Sequence, residues 1–502
     1  MSRTLAELTR GHDPAATAVV CGARTMTYGD LDRAADRIAA GLSAAGLAPG
    51  ARVAYLGLES VDYYATLLGC ARSATVLVPI NFRLTPEEIG HILADSRAEV
   101  LIADASLRAR LDLGSTIRCL DTESFAEWYG GQPAEPPELD LDADTPVVQL
   151  YTSGTTGLPK GVVLAHRSFF AVRAALAAAG EGWIDWRAGD IGLIGIPGFH
   201  VGGIWWATQG LGAGATMVAM PRFDPATAVE LIRERAISTV CVVPSMLRLM
   251  LAEPGADRAA LASVRKLVYG GSPISESLLG QAMSILDCEF AQIYGLTETG
   301  NTAVCLPPDQ HYPGSPRLQA AGRAYPGFAI RVSDERGDPL GPGRVGEVWL
   351  RTPGHMVEYW RRPDATAATL VDGWIRTGDA GYLDDEGYLF LCDRLQDMII
   401  VGGENIYPAE VENVIAGHPA VADVAVVGAP DERFGERVHA FVAARAEVSA
   451  RELFVHCTDR LAGYKIPSRF EFVERVPRNP SGKILRRQLR EPLWPSGVRR
   501  IG

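Results

Sequence analysis

Lysine is almost missing from this 502-residue chain: four of its 48 basic residues are lysines, at positions 160, 266, 465 and 483, and the rest are arginines. A chain that supplies arginine wherever generic positive charge will do marks each lysine as a candidate for work that needs a compact, mobile ammonium. Codon usage also produces such an imbalance, so the lysines gain weight only where motifs join them. An excess of basic charge is missing too. The 60 acidic residues give a net charge of −12, which argues against a general nucleic-acid binder but leaves room for a small-anion site. The eight cysteines are scattered with no C-x-x-C pair, so neither a disulfide framework nor a zinc site is expected, and they read as reduced thiols of a cytoplasmic protein. No uncharged apolar run approaches the ~18–20 residues of a spanning helix. Met1–Glu7 carries an early acid and no apolar stretch, so no secretory signal is expected. With 47% apolar and 22% charged residues, the composition is that of an ordinary globular protein, and the length suits about three domains of ~150 residues.

Periodicity gives an α/β chain. Thr27 is placed to cap a helix with apolar positions at 31, 34, 35, 38, 42 and 45, ended by Gly46. Strand patterns at 52–56, 75–79, 100–103 and 146–151 alternate with helical ones. A second series follows at 192–196, 216–220, 240–243, 265–269 and 289–292. Such alternation predicts two wound, largely parallel sheets. From about 322 to 391 short strands and Gly/Pro/Asp turns predict a small β-rich subdomain. After Asp393-Arg394-Leu395-Gln396 a compact α+β unit begins. The expected organisation is a large domain over 1–393, a hinge near 394–396, and a small mobile C-terminal lid over 397–502.

The densest chemical signal is Tyr151-Thr152-Ser153-Gly154-Thr155-Thr156-Gly157-Leu158-Pro159-Lys160-Gly161. Glycines turn backbone N–H groups inward, hydroxyls add donors and Lys160 adds charge, a composition suited to cradling polyphosphate. It is not a Walker A loop, because Pro159 precedes the lysine and Gly161 follows it. Alone it reads equally as a flexible surface turn. Gly210–Gly214 superficially resembles a dinucleotide loop, but it precedes a strand pattern rather than a helix.

With further motifs in order, the chain resembles the adenylate-forming superfamily of acyl-CoA synthetases, adenylation domains and luciferases, most of all bacterial fatty-acyl-CoA synthetases. The segment 151–161 resembles that family's phosphate loop, and the resemblance runs over essentially the whole chain. In Tyr294-Gly295-Leu296-Thr297-Glu298-Thr299 it implies that Tyr294 lies against adenine, Thr297 reaches phosphate and Glu298 holds Mg²⁺. An acid beside phosphate makes sense with a bridging cation. Gly270-Gly271-Ser272-Pro273 resembles the turn that passes the adenine and lines the acyl pocket. Trp374–Asp379 resembles the motif whose aspartate, Asp379, accepts from both ribose hydroxyls. Asp393–Asp397 resembles the hinge motif, with Arg394 on ribose and Gln396 at a position usually Lys or Asp.

The resemblance assigns Gly402, Gly403, Phe434 and Lys465 to CoA, and Lys483 to the attacking carboxylate and the α-phosphate. The catalytic set is then Lys483, Glu298, Thr152 and His200. The acyl pocket takes His200 as its gate with Val201, Gly202, Trp205, Gly270 and Gly295. Lys266 reads as structural.

The implied reaction uses ATP, Mg²⁺ and a carboxylic acid to make an acyl-adenylate, from which a thiol displaces AMP. CoA is the expected thiol, and a carrier protein is the alternative. A medium or long fatty acid is the expected substrate. The alternatives are an aryl or short-chain acid, activation of an unusual oxyanion, or a non-catalytic nucleotide-binding regulator. No nucleic-acid or membrane partner is expected, and a homodimer stays open.

Overall fold

The computed structural model describes residues 4–112, 117–152, 159–183, 185–187, 189–394, 397–401, 404–431, 433–458, 460–478 and 483–494. Its architecture is mixed α/β, with a large N-terminal domain and a smaller C-terminal one, as the periodicity predicts. The first sheet has seven strands. Pro146–Thr152, Val76–Pro79, Arg52–Leu56, Val100–Ala103 and Arg118–Asp121 run parallel, and Lys160–Ala165 with Glu358–Tyr359 adds an antiparallel edge. The second sheet has nine strands, with a parallel centre from Glu289–Tyr294 through Ile191–Ile194 to Thr17–Cys21. Central strands such as Val76–Pro79 and Thr239–Val242 are buried throughout, as parallel strands covered by helices must be.

Local rules set many element ends. Thr27 accepts from the Asp30 N–H, and Asp30 returns a bond to the Thr27 N–H, a capping box that starts the helix Tyr28–Ala44. Gly46, in the left-handed region at φ +87°, follows its end. Gly210–Gly214 closes the helix Val201–Gly212 ahead of the strand Thr216–Ala219, so its likeness to a dinucleotide loop has no structural counterpart.

An antiparallel sheet built on Gly346–Arg351 and Trp374–Leu383 forms the β-rich part. One packed core runs from Leu5 to Leu389, and a separate one from Ile399 to Leu461. The second core lies under a sheet containing Val421–Asp431 and Gly435–Ala444. The two parts touch where Asn413 donates to Gln319 at 3.2 Å and the Arg248 guanidinium donates to the Ala422 carbonyl. No helix among the described residues is long and apolar enough to cross a membrane.

Lys266 is structural, as expected. Its ammonium is buried and pairs with Asp185 and Glu289 at 2.5 and 2.9 Å.

Candidate active site

The two ends of segment 151–161 lie on strands that pair with each other. Strands Pro146–Thr152 and Lys160–Ala165 pair antiparallel, with Thr152 directly opposite Lys160. Ser153, Gly154, Thr155, Thr156 and Gly157 lie outside the described residues. Ladder pairing fixes their register, which explains why the two ends of the motif stand side by side.

Across from Lys160 lies a residue that sequence reasoning missed. Tyr359 pairs through its backbone with Val162. The Lys160 ammonium sits 5.4 Å from the centre of its ring, and its hydroxyl donates to Glu298 at 2.7 Å. Tyr359 therefore links a cation from the strand Lys160–Ala165 to the acid on the turn Thr297–Thr299. Only the pairing of a two-residue strand brings it there, and no local pattern announces that.

Tyr294 and Asp379, expected to touch different parts of a nucleotide, are joined directly. The Tyr294 hydroxyl donates to Asp379 at 2.6 Å. Asp379 is buried, its N–H donates to the Thr377 hydroxyl at 3.0 Å, and its backbone pairs with that of Arg394. Gly270 ends the strand Lys266–Gly270, and Gly271, Ser272 and the exposed Pro273 follow it. Gly295 follows the neighbouring strand Glu289–Tyr294. A Cβ on Gly295 would stand 2.4 Å from the Asn301 carbonyl, so only glycine lets these two backbones approach. Tyr294→Phe, which removes the hydroxyl but keeps the ring, is expected to raise the KM for ATP severalfold by loosening Asp379, with kcat nearly unchanged in initial-rate assays.

His200 stands at the N-cap position of the helix Val201–Gly212 without a side-chain capping bond. The segment before it is clamped at one peptide. The Gly198 N–H donates to Glu59 at 3.0 Å, and the Tyr63 hydroxyl donates to the Gly198 carbonyl at 2.6 Å. Glu59, half-buried, also accepts from Tyr64, and desolvation pushes its carboxyl up. A Cβ at 198 would lie 2.4 Å from the Tyr63 ring, which explains why this position carries no larger side chain. Gly198→Ala is expected to cost about 1–3 kcal/mol, read as a lower urea midpoint.

Burial lowers the His200 pKa to about 4, with the Arg83 charge adding to the effect, so its imidazole is neutral at pH 7. His166 and His311 are also lowered to about 4 by burial. Between about pH 4 and 6.5 the unfolded chain binds more protons at these sites than the folded one. Stability is therefore expected to fall as pH drops through that window and to be fully present above it. His200→Asn should flatten the dependence by up to about 1.4 kcal/mol per pH unit in equilibrium unfolding.

Gly202 is buried on the helix, facing Ile196 and Asn301, while Val201 is half-buried. Trp205 is fully buried and its indole N–H has no partner among the described residues. The Trp206 indole donates to the Leu193 carbonyl at 3.1 Å. Asn301, which was not anticipated, holds φ +93° and has a buried amide nitrogen without a partner among the described residues. Its position after Tyr294–Gly300 was the available signal, since asparagine tolerates positive φ.

In the smaller domain, Gln396, Gly402 and Gly403 lie outside the described residues. Phe434 is exposed, and the Lys465 ammonium is bound to both oxygens of Glu410 at 2.7 and 2.8 Å. Lys483 is half-buried. On either side of it, Arg478 pairs with Asp423 and Arg486 with Glu412, both at 2.7 Å.

A lysine and an acid share one tyrosine, and an aspartate is braced by a second tyrosine; a cation and carboxylates so grouped suit phosphate chemistry. A family model for AMP-binding enzymes matches residues 7–360, and one for the AMP-binding enzyme C-terminal domain matches 410–483. The chain belongs to the AMP-binding enzymes, the adenylate-forming class. It is 58% identical to a fatty acid–[acyl-carrier-protein] ligase of Streptomyces coeruleorubidus, over 98% of this chain and 96% of that one. It is 38% identical to a long-chain-fatty-acid–CoA ligase of Mycobacterium tuberculosis, over 93% of each. The solved o-succinylbenzoate CoA synthetase of Bacillus subtilis, in complex with its acyl-adenylate intermediate, superposes with a TM-score of 0.85 at 32% identity, covering 97% of both chains.

Proposed function

We propose that the protein joins a fatty acid to the thiol of a phosphopantetheine-bearing carrier protein through an acyl-adenylate, at the expense of ATP. The observation that supports this is the Lys160–Tyr359–Glu298 and Tyr294–Asp379 pair of contacts, which gathers a cation and two carboxylates about residues 294–299. The carrier thiol is favoured by the 58% identity to a carrier-protein ligase. CoA is the second reading, supported by relatives such as the 38% identical CoA ligase.

The chain's own groups suit the first step. A carboxylate is already an anionic nucleophile, so no general base is needed. Charge concentrates at phosphorus, where Lys160, Lys483 and the N–H groups of 153–157 stabilise it. Neutral His200 is assigned to the acyl side, where it adds no charge, together with Val201, Gly202, Trp205, Gly270 and Gly295.

Glu298 is a reasonable Mg²⁺ ligand. Among the described residues no group of three His, Cys, Asp or Glu side chains could hold a metal alone, and one carboxylate completed by substrate phosphates is how Mg²⁺ is usually held. The ion, when bound, supplies positive charge against the phosphates. Asp379 and Arg394 hold the ribose. The hinge at 394–396 then lets the 397–502 lid exchange Lys483 for the 402–403 segment, Phe434 and Lys465.

The test is AMP and thioester formation across acids from C2 to C16, with no thiol, CoA or a holo-acyl carrier protein, read by mass spectrometry. Thioester on the carrier supports the proposal. AMP release that ignores every thiol overturns it.

A further inference from the structure

Asp95 breaks a local rule. It lies in the last turn of the helix Pro86–Ser96, where the negative end of the helix dipole disfavours an acid. Its partners account for it. One carboxylate oxygen accepts from the Tyr151 hydroxyl at 2.8 Å and the other from Arg362 at 2.9 Å. Its backbone carbonyl accepts from the Trp360 indole at 3.0 Å. Tyr151 is the first residue of the segment 151–161, and Trp360 follows Tyr359, whose hydroxyl bonds Glu298. A residue outside the site thus reaches both the loop segment and the neighbour of the tyrosine that holds the acid. Arg362 is exposed, so its ion pair alone adds little.

The contacts close into a ring. The Gln149 amide donates to the Tyr151 oxygen at 3.0 Å, and its carbonyl oxygen accepts from Arg52 at 3.2 Å. The Arg52 guanidinium lies over the Trp360 ring, 3.4 Å from its centre, and Trp360 returns to Asp95. Gln149 is fully buried, so both ends of its amide need these partners. Gly161 leaves the room: a Cβ there would stand 2.6 Å from the Gln149 amide nitrogen. The Gly161 carbonyl accepts from the Trp360 N–H at 2.7 Å. One turn earlier on the same helix, a His91 ring nitrogen lies 3.4 Å from the Pro159 carbonyl. The helix therefore touches the segment near both of its ends. Bonds linked in this way polarise and hold one another, so the ring fixes position better than separate pairs. We propose that Asp95 is a positioning residue for the ATP half-reaction: it fixes Tyr151, and with it the start of the segment that cradles the phosphates. The proposal rests on the adenylation reading given above. Placement counts there, because a shift of about 1 Å at the reacting groups costs up to about 10²-fold in rate. Thioester formation does not depend on it, since pyrophosphate has already left the acyl-adenylate.

The experiment compares the two half-reactions. Asp95→Ala removes the carboxylate and keeps the backbone carbonyl that Trp360 uses. In ATP–pyrophosphate exchange its kcat/KM for ATP is expected to fall about tenfold or more. Thioester formation from supplied acyl-adenylate should stay within about twofold. Tyr151→Phe, which keeps the ring in place, is expected to show the same split. The double variant should lose no more than the larger single loss, because the two groups act as one unit. Equal losses in both half-reactions would reduce Asp95 to support of the fold and overturn the proposal. Additive losses in the double variant, or an unchanged kcat/KM for ATP, would overturn it too. Exchange by the unsubstituted protein is the reference, and its absence would overturn the adenylation reading and this proposal with it.

Discussion

Lys483→Ala is expected to slow acyl-adenylate formation by roughly 10²–10³-fold, the usual loss when one preorganised donor to a developing oxyanion is removed. Thioester formation from supplied acyl-adenylate should stay within about threefold. The asymmetry follows from the assigned role: Lys483 meets the carboxylate and the α-phosphate, and both have finished reacting once the adenylate exists. The substitution is local, because the Arg478–Asp423 and Arg486–Glu412 pairs that hold the flanking chain remain. Lys483→Arg should rescue little, since a planar fork does not replace a point-like ammonium. Pyrophosphate exchange measures the first half and single-turnover transfer the second. Equal losses in both would remove Lys483 from its place in the mechanism.

Glu298→Gln is expected to lower adenylation about 100-fold and to move the Mg²⁺ concentration for half-maximal pyrophosphate exchange upward by tenfold or more. Glutamine still accepts the Tyr359 hydroxyl, so stability should barely change. Tyr359→Phe offers the complementary measurement. It keeps the carboxylate and the ring beside Lys160 but removes the hydrogen bond, so a loss of severalfold, with little change in Mg²⁺ dependence, is expected. If Glu298→Gln has the same Mg²⁺ titration as the unsubstituted protein, the metal is held elsewhere.

The sequence carried the parts of the fold that depend on neighbours along the chain. The cap at Thr27 and the parallel series are local patterns, and each has its counterpart in the structure. Distance along the chain hid the rest. Thr17–Cys21 joins the second sheet by pairing with Thr216–Ala219, and nothing near residue 17 signals a partner two hundred residues away. Tyr359 was invisible for the same reason. The scarcity of lysine marked all four alike and could not show their partners: Lys266 is held by Asp185 and Glu289, and the Lys465 ammonium by Glu410 within the smaller domain. Gly198 was visible only as a missing side chain. Its cause, the Tyr63 ring in the vacated space, needed coordinates.

The ion pairs on both sides of Lys483 also bear on how that ammonium travels. Each is anchored in the smaller domain, Asp423 on its long strand and Glu412 on the helix Pro408–Ala416. A side chain fastened this way is carried by its whole domain rather than by a whipping loop. In the proposed mechanism its arrival at phosphorus is a diffusive rotation of about a hundred residues through solvent, and turnover should slow as glycerol thickens the medium whenever that rotation, rather than bond making, limits the cycle.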